Sequence, residues 1–161
     1  MKDIIRTVGG IYFNTGAQNG SGGELEAVWD ASRRLRVSAN YAWQRSTDEA
    51  TQQDAGYAPQ QQLYARADWR FAPNWLFGSQ VNWVAQRKRA APDLRAAIAD
   101  YTTLDLSLRT NNGKSRWDFA ASLRNLFNAD YFSNYSEGFN SNDNYLKAPG
   151  RTASVRLAVS Y

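Results

Sequence analysis

Whatever chemistry this chain performs, it performs without cysteine or histidine, because the sequence contains neither. That removes disulfides, thiolate nucleophiles, the commonest metal ligand and the usual general base. Lack of cysteine fits an oxidising compartment as well as a reducing one. Glu24 and Glu26 fall on one side of an extended strand, but no acid or base partner and no pocket accompanies them. No glycine-rich phosphate loop joins a strand to a helix. We therefore expect no enzyme, no cofactor and no bound metal.

The groups that could bind something fall into three sets. Arg87-Lys88-Arg89, with Arg95, could attract an anion, or could simply be solvated loop charge. Tyr131, Phe132, Tyr135, Phe139 and Tyr145 are interleaved with Asn134, Asn140, Asn142 and Asn144. Aromatics with amides suit a ligand-contacting mouth, and equally a loop packed on its neighbours. The third set is Arg66, Asp68, Arg70, Asp105, Arg109, Asp118, Arg124 and Arg156. These could form cross-strand ion pairs, or more simply a hydrated, salt-bridged wall. Asn134-Tyr135-Ser136 matches a glycosylation sequon, to which we attach little meaning.

What positions these residues is a repeated alternation. Leu35, Val37, Ala39, Tyr41 and Trp43 share one parity; Arg36, Ser38, Asn40 and Gln44 share the other. Each parity is one face of a strand. The pattern recurs around Leu25, Leu63, Trp75, Leu104, Trp117 and Val155. The apolar parity runs through odd positions of 25–31, 35–43, 63–71, 75–85, 117–125 and 153–161, and even positions of 104–110. Those 34 positions hold no Asp, Glu, Lys or Arg, where random placement at 21% charged would put about seven. The expected strands are Asp3–Val8, Tyr12–Ser32, Leu35–Arg45, Gln62–Phe71, Trp75–Arg87, Thr102–Thr110, Arg116–Phe127 and Thr152–Tyr161. Gly16, Gly20, Gly22 and Gly23 suggest a bulge or bend in the long second one.

Connections alternate in length. Those at 33–34, 72–74 and 111–115 are short; those at 46–61, 88–101 and 128–151 are long. Trp29, Trp69, Phe71, Trp75, Phe77, Trp117, Phe119 and Tyr161 lie on the apolar parity near the short side or the C-terminus. Tyr41, Trp43 and Trp83 lie toward the long side. Two aromatic bands and alternating turn lengths predict an all-β, antiparallel up-and-down meander of about eight strands, part of a transmembrane β-barrel. A soluble lipocalin-like barrel, with the apolar parity facing a dry core, is the bland alternative. The chain is long enough for one domain of 161 residues and has no apolar run of membrane-helix length. Its net charge of +4 is spread over both signs, so no nucleic-acid partner is expected. Met1-Lys2-Asp3-Ile4-Ile5-Arg6 does not read as a signal peptide.

From about Gly23 to Tyr161 the chain resembles the C-terminal end of a TonB-dependent receptor barrel. Four stretches carry the likeness: Asn14-Thr15-Gly16 followed by Gly23-Glu24-Leu25-Glu26; Asp100-Tyr101-Thr102-Thr103-Leu104-Asp105-Leu106; Arg124-Asn125-Leu126-Phe127-Asn128-Ala129-Asp130-Tyr131; and Ala148-Pro149-Gly150-Arg151 leading into the last strand. Asn128 stands where the family commonly has Asp. The resemblance implies a bacterial outer-membrane protein that takes up a scarce nutrient, most often a ferric siderophore, with Arg87, Lys88, Arg89, Arg95 and the last-loop aromatics toward the substrate. It implies that Val155, Leu157, Val159 and Tyr161 belong to a C-terminal signal read by the barrel assembly machinery. Family members also have a plug, earlier strands and a TonB-binding segment, none of which is recognisable here, so the chain is expected to be the C-terminal portion of such a receptor. A complete eight-stranded outer-membrane barrel with a structural or adhesion role is the alternative.

Overall fold

A computed structural model describes residues 5–8, 11–14, 16–56, 58–89, 94, 96–110, 116–135 and 145–159. Strands β1 (Ile5–Val8) and β2 (Ile11–Asn14) are followed by β3 (Gln18–Ser32), β4 (Leu35–Asp48), β5 (Pro59–Ala72) and β6 (Trp75–Arg87). Then come β7 (Tyr101–Thr110), β8 (Trp117–Arg124), β9 (Phe132–Tyr135), β10 (Tyr145–Lys147) and β11 (Thr152–Val159). No helix occurs among the described residues. Seven strands form one sheet in the order β11-β8-β7-β6-β5-β4-β3, and β1-β2 and β9-β10 are separate antiparallel hairpins.

Register bears out the alternation. Leu106 faces Leu123 and Leu108 faces Ala121 across β7 and β8. Val155, Leu157 and Val159 of β11 face Ala121, Phe119 and Trp117 of β8. On the other parity Ser107 and Ser154 both face Ser122, and Arg109 and Arg156 both face Ala120. Arg36 reaches Asp30 across β3 and β4 at 3.6 Å. Like therefore meets like on each face, as paired strands require.

The charge-free parity is not packed into a dry core. Among the described residues the buried hydrophobic side chains are only Ala85 and Ala148. Leu25, Trp29, Val155 and Leu157 are 61–73% exposed, and Trp43, Trp69 and Trp117 are exposed as well. All lie on the charge-free parity. A soluble barrel hides that face in its interior; here those side chains are exposed.

Several boundaries differ from expectation. The long second strand is two, β2 and β3, separated at Gly16, whose φ of 116° belongs to a conformation other residues avoid. Among the described residues the first expected strand pairs with β2 in a hairpin and is not a member of the main sheet, which has seven strands there instead of eight. Strands β4 and β5 run further into the long connection than expected. Strand β8 ends at Arg124 because Asn125 turns to φ 51°. The last long connection contains the β9-β10 hairpin. Arg95, Phe139, Asn140, Asn142, Asn144, Tyr161 and the turn at 111–115 lie outside the described residues.

Two compact units emerge. One holds 1–24, 42–62 and 84–100, the long-connection ends of β3 to β6; the other holds 25–41, 63–83 and 101–161.

Candidate functional site

In the second unit the polar parity carries a series of side-chain hydrogen bonds. Arg66 holds Asp68 through two bonds, Nε to Oδ2 at 2.7 Å and Nη2 to Oδ1 at 2.8 Å. This pair lies within β5, whereas Arg36 and Asp30 pair across strands. Asp68 also feels the charges of Arg109 and Arg36. Gly78 of β6 leaves the space into which Asp68 and Ser107 lean: a Cβ there would stand 3.4 Å from Asp68 Oδ1 and 2.6 Å from Ser107 Oγ. Tyr64 donates to Gln80, Asn82 to Thr103, and Ser122 and Ser154 share a bond of 2.8 Å. Arg70, Arg124 and Arg156 are exposed on the same parity. The face can hold water and charge; no three acidic side chains converge as a metal site among the described residues.

Asp105 and Asp118 do something other than pair with arginine. Asp118 accepts from the Thr110 hydroxyl at 2.7 Å. Asp105 accepts from the backbone N–H of Asn125 at 2.8 Å. Asn125 was read as one more outward position, but it is only 4% exposed and centres a polar knot. Its Nδ2 donates to the carbonyls of Ala129 and Pro149, and its Oδ1 accepts from Ala129 N–H at 2.8 Å. Asn128, at φ 53°, accepts from Arg151 N–H at 2.9 Å. Leu126 N–H donates to Leu104 C=O, and Ala148 N–H to Tyr131 C=O. Tyr131 stacks on Tyr101 at 4.1 Å, and Lys147 pairs with Asp130 at 3.0 Å. Three sequence stretches noted above thus meet at the root of the last long connection. The signal in the sequence was the asparagines themselves, which tolerate left-handed backbone and bond locally. Of the last-loop aromatics, Tyr131 is placed by its stack, whereas Phe132, Tyr135 and Tyr145 are described only as members of β9 and β10.

The aromatic side of this unit is also built. Trp69, Phe71, Trp75 and Phe119 form a chain of rings with centroids 5.7, 6.4 and 5.8 Å apart. Offset and tilted rings at such spacings attract beyond their area.

In the first unit the β4-β5 connection folds on itself. Asp48, 5% exposed, accepts at Oδ1 from Ala50 N–H, Thr51 N–H and the Thr51 hydroxyl. Asp54 accepts from Gly56 N–H and Gln60 Nε2. Arg89 Nε donates to Ala96 C=O at 2.7 Å. Arg45, Thr47, Gln52, Gln53, Asp54, Lys88 and Arg89 line a cavity of about 330 Å³. Lys88 and Arg89 were singled out by their charge run; Arg45 was missed, although it is the first charge on the outward parity of β4. Arg87 ends β6 and does not line this cavity.

A charge-free parity carrying a band of aromatic rings, opposite a polar, hydrogen-bonded parity, is the pattern of an outer-membrane β-barrel wall. The profile of the family described as TonB dependent receptor-like, beta-barrel, matches residues 1–126, and the chain belongs to that family, one of transport receptors. Among solved structures it is similar to the ferric yersiniabactin uptake receptor FyuA from Yersinia pestis, at 20% identity and a TM-score of 0.77, covering 99% of this chain and 26% of that one. It is similar to the ferric-catecholate import receptor Fiu from K12 E. coli, at 16% identity and 0.73, covering 98% and 23%. It is also similar to the copper transporter OprC, at 19% identity and 0.72, covering 93% and 25%. The chain therefore spans about a quarter of the length of these structures. No curated protein matches it.

Proposed function

We propose that this chain is the C-terminal barrel segment of a TonB-dependent outer-membrane receptor for active uptake of a scarce nutrient, with a ferric siderophore as the favoured cargo. The observation that carries the reading is the family match over residues 1–126, seated on a sheet whose inner parity is polar and hydrogen-bonded. In this reading the segment supplies lumen wall, outer loops and assembly signal, and catalyses nothing. A plug and upstream strands of the same receptor complete the barrel, and TonB acts through that N-terminal part. Arg66, Asp68, Arg70, Asp105, Arg109, Asp118, Arg124 and Arg156 face the plug. Tyr131, Phe132, Tyr135, Phe139 and Tyr145 contribute to the substrate mouth, with Arg87, Lys88, Arg89 and Arg95 adding positive charge. Val155, Leu157, Val159 and Tyr161 engage the assembly machinery. FyuA and Fiu take up ferric chelates by their descriptions, which favours that cargo; OprC is described as a copper transporter.

The test is the coding sequence upstream, followed by uptake. A plug-encoding stretch in frame, and loss of iron-chelate growth on deletion that is independent of other metals, is the expected result. A secretion signal directly preceding Met1 would instead make this a small complete barrel. Loss of copper uptake alone would replace the cargo.

A further inference from the structure

We propose that Arg109 and Arg156, standing on either side of Ala120, form a clamp for a single carboxylate carried by an acidic side chain of the plug. The inference rests on the reading above that this face of the sheet meets a plug. It adds what chemistry the plug must bring there, and to which residues.

The first argument is placement. In the register of β7, β8 and β11, Arg109 and Arg156 both lie opposite Ala120. Two residues along, Ser107 and Ser154 both lie opposite Ser122, and the Ser122 and Ser154 hydroxyls share a bond of 2.8 Å. That bond puts the serines on one face, and the two-residue step puts the arginines on the same one. With strands about 4.8 Å apart, the two arginine Cα atoms stand about 10 Å from each other. Between them lies the methyl group of Ala120. Two long side chains can close over it on one small anion, whereas a larger residue would fill the interval.

The second argument is charge. The carboxylates on the same face of these strands are already engaged, Asp105 by Asn125 N–H and Asp118 by the Thr110 hydroxyl. Asp68, which feels the charge of Arg109, is held at both oxygens by Arg66. Among the described residues Arg109 and Arg156 have no hydrogen-bond or salt-bridge partner, and both are exposed. Two like charges flanking one alanine repel each other unless an anion comes between them. A carboxylate there accepts from both guanidiniums in charge-assisted bonds, the strongest kind available to it.

The third argument favours a protein carboxylate over a free ion. The serine row continues to Gly78 of β6, whose carbonyl lies 3.5 Å from the Ser107 hydroxyl. This strip of small residues crosses four strands, about 15 Å of sheet, beside the arginines. A free ion uses the arginines alone. A chain that brings the carboxylate also lays its backbone on the strip, where serine hydroxyls can donate to its C=O groups and accept from its N–H groups.

The experiment uses the natural gene product in isolated outer membranes. Arg156→Lys keeps the charge and supplies an amine, and a carbodiimide then joins amine to carboxylate without a spacer. Peptide mapping should find position 156 linked to one Asp or Glu of the plug. Arg33→Lys, in the turn between β3 and β4, should give no link to the plug. Arg109→Gln with Arg156→Gln should speed cleavage of the plug by added protease on the order of tenfold, the effect of losing one charge-assisted pair. Arg109→Lys with Arg156→Lys should stay within a few fold. Heat-shifted gel mobility checks that each barrel is assembled; if Arg156→Lys is not, Arg109→Lys carries the cross-link. Linkage only to carboxylates of the barrel, or no linkage, overturns the clamp. Linkage that millimolar citrate suppresses while the plug stays in place overturns the plug as occupant and leaves a site for free anions. An upstream sequence without a plug defeats the functional reading and this inference together, and is seen before any variant is made.

Discussion

The side chain of Asn125 makes three hydrogen bonds from a backbone conformation that most residues avoid. Two contributions are therefore at stake in it. Replacing it by alanine strands the carbonyl of Pro149 and both polar groups of Ala129, and also places a Cβ residue without local compensation at φ 51°. Together these should cost about 2–4 kcal/mol. Asn125→Gly keeps the conformation and loses only the bonds, so its loss should be smaller. Urea unfolding of the natural gene product in lipid vesicles measures both; equal midpoints for the two variants would show that conformation contributes nothing. A second contrast tests the register. Leu106 faces Leu123 on the outward parity and Ser107 faces Ser122 on the inner one. Leu106→Arg should cost about 2–4 kcal/mol if it reaches the bilayer midplane, while Ser107→Arg places its charge beside water and Asp68. Equal folding yields in vesicles would sink the assignment of faces.

Between neighbouring strands, two adjacent glycines behave differently. A Cβ on Gly22 would stand 2.5 Å from the carbonyl oxygen of Trp43 and 3.1 Å from Gln44 Cα, both backbone atoms that cannot swing aside. A Cβ on Gly23 meets nothing within 4 Å. Gly22→Val should therefore force β3 away from β4 and lower the yield of protease-resistant protein severalfold, whereas Gly23→Val should be close to neutral. If both are neutral, the close approach has no consequence for pairing. Period-two patterning revealed most elements because each strand shows lipid on one side and water on the other, and Leu35–Trp43 could not be shifted by one residue without exposing Arg36 to hydrocarbon. Strand ends were less legible. Nothing in the alternation around Arg124 announced that Asn125 would turn inward to Pro149, since that partner is far away in sequence. The split at Gly16 was visible as a glycine but not as a change of sheet. The cavity at Arg45 was hidden for a similar reason: its cations come from β4 and from the stretch just after β6, strands that are not adjacent in the sheet order.

For the molecule as a whole, the sheet order ends at β11 on one side and β3 on the other among the described residues. An unpaired backbone N–H or C=O in hydrocarbon costs several kcal/mol, so such ends call for further strands. We expect the 161-residue chain, refolded alone into micelles, to aggregate or remain heat-labile, and co-refolding with the upstream part of its receptor to give a heat-stable species. A stable, heat-resistant species from the chain alone would favour the small complete barrel. The knot at Asn125 has one more consequence. It ties the exit of β8 to Pro149, while Asn128 ties the same exit to Arg151, just before β11 begins. Both ends of the intervening connection are cinched at its base. Added length there costs only slowly growing closure entropy, about 0.6 kcal/mol for each doubling. Selection, or an experimenter, can therefore rewrite what lies between Tyr135 and Tyr145 without disturbing the wall beneath. A ten-residue epitope inserted there should be displayed to antibody on intact cells while the barrel assembles at its normal level, which makes this connection the molecule's point of evolvability.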